Sequence, residues 1–224
     1  MIDDLFGQCT QLEPLSVADA DFCFARRLAL PEADEVLLQK LTVETPWRSE
    51  RITVWGKTQL QPRLTAWYGD AGRRYAYADI QLEPLPWTPT LLGIRAVIEA
   101  LTHTRFNSVL LNYYRDQRDS MGMHSDDEPE LGPRPTIASL SLGATRTFVL
   151  QPKRRSATGP VRIALPSGSL LVMQGQSQQR WKHGIDKQSK PCGPRINLTF
   201  RTIDGLRQGV AAGDTARAAQ EQIP

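Results

Sequence analysis

The chain has 224 residues, 40% of them hydrophobic and 23% charged, which suits one compact domain able to bury a core without disulfides. Its three cysteines, Cys9, Cys23 and Cys192, form no CxxC pair. That argues against a secreted disulfide scaffold and a cysteine-based zinc site, and points to a reducing cytoplasm, or a nucleus in a eukaryote. The net charge of +3 permits a polyanionic partner without demanding one, the acidic start Met1-Ile2-Asp3-Asp4 is unlike a signal peptide, and no stretch approaches the length of a membrane span.

Residues 1–45 read as an N-terminal extension. Within it, Pro31 to Leu41 carries helix-start signals, with Glu32, Asp34 and Glu35 in the first turn. From Ile52 short apolar runs alternate with turn-forming residues, which favours strands. The clearest helix starts after Thr88, a capping residue. Pro89 fits its first position, and Leu91, Ile94, Ile98 and Leu101 recur at helical spacing. After His103, itself read as capping or solvated, six short β runs follow: 108–114, 136–142, 145–151, 161–165, 169–174 and 195–203. Gly and Pro punctuate them, a pattern of sandwiches, barrels and jelly rolls. Residues 46–204 form the expected main domain of an α+β protein. The stretch 205–224 is rich in Ala, Gln and Gly and reads as a mobile tail. No internal repeat is present.

His124 and Asp126 stand two residues apart, so on an extended strand both side chains project to one side. His183 lies far downstream. Two imidazoles and one carboxylate on one face make the facial triad of non-haem Fe(II) oxygenases, with coordination positions left open. The plainer reading keeps His124 and Asp126 as a chance pair and His183 as a surface residue of the basic run Arg180-Trp181-Lys182-His183.

The last predicted strand places Arg195, Asn197, Thr199 and Arg201 on one face and Ile196, Leu198 and Phe200 on the other. Either the polar face is solvated, as is common in antiparallel sheets, or it lines a pocket. Guanidinium forks match carboxylates bidentately, so such a pocket would suit a dicarboxylate. Asn112 and Tyr114 share a face on an earlier strand and support the pocket.

The succession Asn112-Tyr113-Tyr114, His124-Ser125-Asp126-Asp127-Glu128, His183 and Arg195-x-Asn197-x-Thr199-x-Arg201 resembles the AlkB family of Fe(II)- and 2-oxoglutarate-dependent oxygenases. The likeness runs from about Ile52 to Ile203. It takes in the segments 137–144 and 168–173, and Pro62-Arg63-Leu64-Thr65-Ala66-Trp67-Tyr68-Gly69 is similar to the eukaryotic-type DNA-repair homologues. The resemblance implies a double-stranded β-helix (jelly-roll) core with flanking helices and a nucleotide-recognition lid. It implies Fe(II) held by His124, Asp126 and His183, and 2-oxoglutarate held by Asn112, Tyr114, Arg195, Asn197 and Arg201, with Thr199 a further candidate. Which arginine meets which carboxylate stays open.

The implied chemistry couples O2 and 2-oxoglutarate to hydroxylation of an N-alkyl carbon, releasing succinate, CO2 and formaldehyde. A base must leave the stack to be reached. By the same resemblance Tyr77 stacks on the flipped base, Tyr75 bonds nearby, and Asp127 and Glu128 read its edge, their charge suiting 1-methyladenine and 3-methylcytosine. For the tyrosines ordinary strand packing competes with that role, and for the two acids solvation does. Trp55, next to Gly56, is similar to the wedge that duplex-preferring members insert, or is a buried strand residue. Lys153, Arg154, Arg155, Arg180, Lys182, Lys187 and Lys190 are candidates for phosphate contacts or simply solvated charges. The expected partner is alkylated DNA, with RNA the alternative, for a monomer away from membranes. Competing expectations are an RNA or protein substrate for the same centre, and a nucleic-acid-binding module with an idle metal site.

Overall fold

The computed structural model describes residues 11–54, 57–72, 75–77, 80–154 and 159–203. Trp55, Arg155 and the tail from 205 lie outside the described residues, as do the side chains of Tyr75 and Tyr77.

In chain order the elements are β1 (Glu13–Leu15), β2 (Asp21–Ala25), α1 (Asp34–Glu44), β3 (Arg51–Val54), β4 (Lys57–Leu60), β5 (Leu64–Gly69), β6 (Tyr75–Tyr77) and β7 (Ile80–Leu82). Then come α2 (Pro89–Thr102), β8 (Ser108–Tyr114), β9 (Met121–His124), a 3-10 turn (Pro129–Leu131), β10 (Ile137–Gly143), β11 (Arg146–Pro152) and β12 (Val161–Leu165). The last are β13 (Leu170–Gln174), α3 (Ser177–Arg180), β14 (Trp181–Ile185) and β15 (Arg195–Arg201). The described chain is mostly sheet with few helices. A 7-stranded sheet runs β1-β2-β13-β10-β15-β8-β5, a 4-stranded sheet runs β12-β11-β14-β9, and β3-β4 and β6-β7 form small ribbons.

Period-two alternation divides the side chains of the larger sheet between two apolar layers. Leu170 and Val172 of β13 join Ile196, Leu198 and Phe200 of β15 on the side covered by α1 and α2. Leu171 and Met173 of β13 point the other way and meet Phe148 and Leu150 of β11 and Trp181 and Ile185 of β14, from the smaller sheet. Helix α2 forms where the sequence signals it. Leu91 N–H donates to the Thr88 hydroxyl at 3.2 Å, Pro89 fills the first turn, and His103 closes the helix in the left-handed region at φ 50°. Its Leu91, Ile94 and Ile98 are fully buried, each contributing about 2 kcal/mol of apolar transfer.

One expectation is corrected, one segment proves part of the core, and one open alternative is decided. Helix α1 begins at Asp34 rather than Pro31, because its first backbone bond runs from Leu37 N–H to the Ala33 carbonyl and Glu32 stays outside, paired with Lys40 at 2.6 Å. The segment read as an N-terminal extension is built into the core: β2 pairs with β13 along its whole length, and Leu37 and Leu41 of α1 enter the helix-side cluster. The polar face of β15 is not solvated. That strand lies between β10 and β8 with a layer on each side, and all its residues are buried.

Candidate metal centre

Strands β9 and β14 are antiparallel neighbours, and their register sets His124 directly opposite His183. The two rings lie 4.3 Å apart between centroids. Asp126, just past the end of β9, brings Oδ1 to 3.7 Å from His124 Nε2. One ligand atom from each of the three falls within 4.8 Å of the others, close enough for a single ion to draw on all three. His124 Nδ1 lies 2.9 Å from the Gly122 carbonyl. A carbonyl can only accept, so Nδ1 carries a proton, and in the neutral ring Nε2, on the side of Asp126, is the nitrogen with the lone pair.

The electrostatics favour the ligating forms. Burial pushes His183 down to a pKa of about 3, helped by His124, so its imidazole is neutral at pH 7. Burial opposes ionisation of Asp126, yet Arg201 and the two imidazoles overcome it and draw the carboxyl down to about 2. Arg201 Nη2 donates to Asp126 Oδ1 at 2.8 Å, while Oδ2 is buried with no hydrogen-bond partner among the described residues. Phe148 stacks beside His183 at 5.2 Å.

A small pocket adjoins this cluster, lined by Tyr114, Ser139, Arg195, Asn197, Thr199 and Arg201 among others. Arg195 is 1% exposed and, among the described residues, has no carboxylate partner. Its Nη2 donates to Ser141 Oγ at 2.9 Å and its guanidinium lies 5.0 Å from the Tyr114 ring centroid, but Nε and Nη1 have no acceptor. Burial lowers its pKa, opposed by Tyr114. Two buried N–H directions on an unpaired cation call for an anion. Asn197 is held by Ser139 Oγ at 2.8 Å and the Leu140 carbonyl at 3.0 Å, and it accepts from Thr199 at 3.1 Å. Asn112 sits across from Asn197 but outside this lining, and its Oδ1 accepts from Arg63 Nε at 2.7 Å.

The model of the 2OG-Fe(II) oxygenase superfamily matches residues 21–201. The human DNA oxidative demethylase ALKBH2 is 41% identical over 181 residues, covering 77% of this chain and 69% of that protein. The chain belongs to the AlkB family of 2OG-Fe(II) oxygenases. It is also 44% identical over 182 residues to the mouse alpha-ketoglutarate-dependent dioxygenase alkB homolog 3, covering 78% of this chain and 63% of that protein. It thus spans just under two thirds of that relative. The solved structure of OsALKBH1 shares the fold, with a TM-score of 0.56 at 18% identity over 86% of this chain and 100% of that one.

The residues present in this AlkB-family chain fit both groups that the superfamily's description names. The lone pair of His124, the neutral His183 and the unbonded oxygen of Asp126 suit a divalent iron. The unpaired N–H groups of Arg195 suit a carboxylate of 2-oxoglutarate.

On the other side of the cluster opens a cavity of ≈ 450 Å³, bordered by Arg48, Glu50, Arg63, Trp67, Glu83, Leu110, Met123 and Glu128. His124, Asp126 and Arg201 line both spaces. Of the two acids expected to read a base edge, only Glu128 faces the cavity. Asp127 is turned out, half exposed and paired with Lys153 at 2.7 Å. Tyr75 and Tyr77 fall on β6. Arg154, Arg180, Lys182, Lys187 and Lys190 are exposed.

Sequence reasoning did not single out Trp67, Leu110, Phe148 or Gln178. Leu110 carried a usable signal, since it shares the alternating face of Asn112 and Tyr114. Gln178 carried none: it touches Asp126 only through folding. Among the described residues, no helix is long and apolar enough to cross a membrane.

Proposed function

We propose that this chain oxidatively removes alkyl groups from nucleic-acid bases, with DNA as its substrate. The observation that carries this reading is that two of the three clustered ligands, His124 and Asp126, lie on the wall shared by an arginine-lined pocket and an open cavity of ≈ 450 Å³. That volume lies in the range of small-molecule sites, about 300–1,000 Å³. The names of its relatives, dioxygenase and DNA oxidative demethylase, support it.

In this reading the two facing sheets are a double-stranded β-helix, and the described core carries the activity as a monomer in the cytoplasm or nucleus. His124, Asp126 and His183 hold Fe(II). Arg195 takes a carboxylate of 2-oxoglutarate, and Asn112, Tyr114, Asn197, Thr199 and Arg201 complete its surroundings. When bound, iron and 2-oxoglutarate supply the oxidation by O2 of an N-alkyl carbon, with succinate, CO2 and formaldehyde as products. The chain's residues orient and exclude. Arg201 keeps Asp126 ionised and oriented, and Phe148 shields His183 from water. A flipped base occupies the larger cavity, where Glu128, with Glu50 and Glu83 also in the lining, suits the positive charge of 1-methyladenine or 3-methylcytosine. Tyr75 and Tyr77 serve as stacking groups and Trp55 as the wedge.

The test is formaldehyde release from oligonucleotides carrying either lesion, with Fe(II), 2-oxoglutarate and ascorbate, on single-stranded DNA, duplex DNA and RNA. Turnover on DNA is expected, together with its loss in His124→Ala while the far-ultraviolet circular dichroism stays unchanged. No product on any of the DNA substrates would sink the reading.

A further inference from the structure

The loop that carries Asp126 is held from outside the cluster. Its backbone N–H donates to Gln178 Oε1 at 2.9 Å, and Ser125 Oγ donates to the Trp181 carbonyl at 3.1 Å. Both acceptors belong to α3 and its junction with β14, the strand that delivers His183. The Gln178 side chain is 2% exposed. Its orientation is fixed by its partners, since a backbone N–H can be met only by the amide oxygen, which leaves Nε2 facing Met173 Sδ at 3.4 Å. Helix α3 is itself anchored: Ser177 Oγ accepts from Asp21 N–H at 3.1 Å and donates to the Gln174 carbonyl at 2.5 Å, and Trp181 Nε1 donates to the Ala18 carbonyl at 3.0 Å.

We infer that Gln178 is a positioning residue for the metal site: its buried amide oxygen fixes the Asp126 backbone so that the carboxylate meets the same ion as His124 and His183. This rests on the iron-site reading given above. Arg201 grips the Asp126 carboxylate at Oδ1, and Ser125 Oγ ties the preceding residue to β14. Gln178 supplies the attachment to the Asp126 peptide itself. A glutamine filling space would serve as well with a hydrocarbon in its place, whereas a glutamine setting ligand geometry needs an oxygen at that spot.

The experiment is a Co(II) titration of the metal-free protein, followed by visible absorption, for the wild type, Gln178→Leu and Gln178→Glu. Removing an outer partner of a metal ligand typically weakens metal affinity about 10–100-fold, and that loss with an altered spectrum is expected for Gln178→Leu. Gln178→Glu keeps an acceptor oxygen at the same reach and is expected to bind Co(II) within about threefold of the wild type. Wild-type affinity and spectrum in Gln178→Leu would overturn the inference, as would equal loss in both variants. Should Gln178→Leu not fold, Gln178→Asn decides, because it keeps the amide but withdraws the oxygen by one methylene; undiminished affinity there also overturns it. If wild-type protein binds Co(II) no better than His124→Ala, the iron site itself is gone and the inference goes with it.

Discussion

The His183 imidazole is a base kept from its proton by burial, and this ties the stability of the metal-free protein to pH. Its pKa is about 3 when folded against 6.5 for an ordinary histidine. Between those values only the unfolded chain takes up the proton, so protons favour unfolding. The contribution is fully present above pH 6.5 and is lost as pH falls, on the order of 1.4 kcal/mol per pH unit. Asp126, drawn down from 3.8 to about 2, adds its own loss only below about pH 4. Urea unfolding of metal-free protein at pH 7.5, 6 and 5 is expected to show falling stability, and His183→Gln to flatten that slope. A level wild-type profile would contradict the burial argument. Arg195 gives a second residue-scale expectation. Arg195→Lys keeps the charge but loses the fork, so initial rates should show KM for 2-oxoglutarate rising by about tenfold or more, with kcat at saturation far less affected. Equal KM values would remove Arg195 from that role. The face of Arg195, Asn197, Thr199 and Arg201 was legible from strict alternation alone. The partners of Arg63 and Gln178 were not, because they lie 49 and 52 residues away along the chain.

The strands that build the site were the hardest to read. Runs such as 108–114 and 161–165 match β8 and β12 in full, since they are apolar, β-branched and bounded by turns. Strands β9 and β14 escaped notice. Met121-Gly122-Met123-His124 is short and contains glycine, and the charges of Arg180 and Lys182 hid the inward alternation of Trp181, His183 and Ile185. Gly184 explains the glycine on β14: a Cβ there would come within 2.8 Å of the Met121 carbonyl and 3.0 Å of Met123 Sδ. Gly184→Ala should therefore push β9 away from β14 and separate the two histidines, at an overpacking cost of about 1–3 kcal/mol. The expected result is formaldehyde release at least tenfold slower, by the effect of misplacing a reacting group. Unchanged rates would mean that the pair yields without disturbing the ligands.

Across the whole molecule, residues on both sides of position 45 share one core. Strand β2 covers the edge of β13, α1 closes the helix-side core, and Ala18 and Asp21 anchor α3. The family match, too, begins at residue 21. None of this was visible in the sequence, because a five-residue strand such as β2 earns its place only by pairing with a partner over 140 residues away. A fragment starting at residue 46 would expose the β13 edge and lose Leu37 and Leu41 from the core. It should show no cooperative thermal transition by circular dichroism, and a melt like that of the full chain would favour a division at residue 45.

Among the described strands, β9 is the terminal one of the smaller sheet, paired on one side only, and its register with β14 is interrupted between His183 and Ile185. A border strand so lightly fastened is prone to fray. An ion bound by His124 on one strand and His183 on the other would act as a clasp across that seam, so occupancy of the centre would stiffen the rim of the fold as well as arm it.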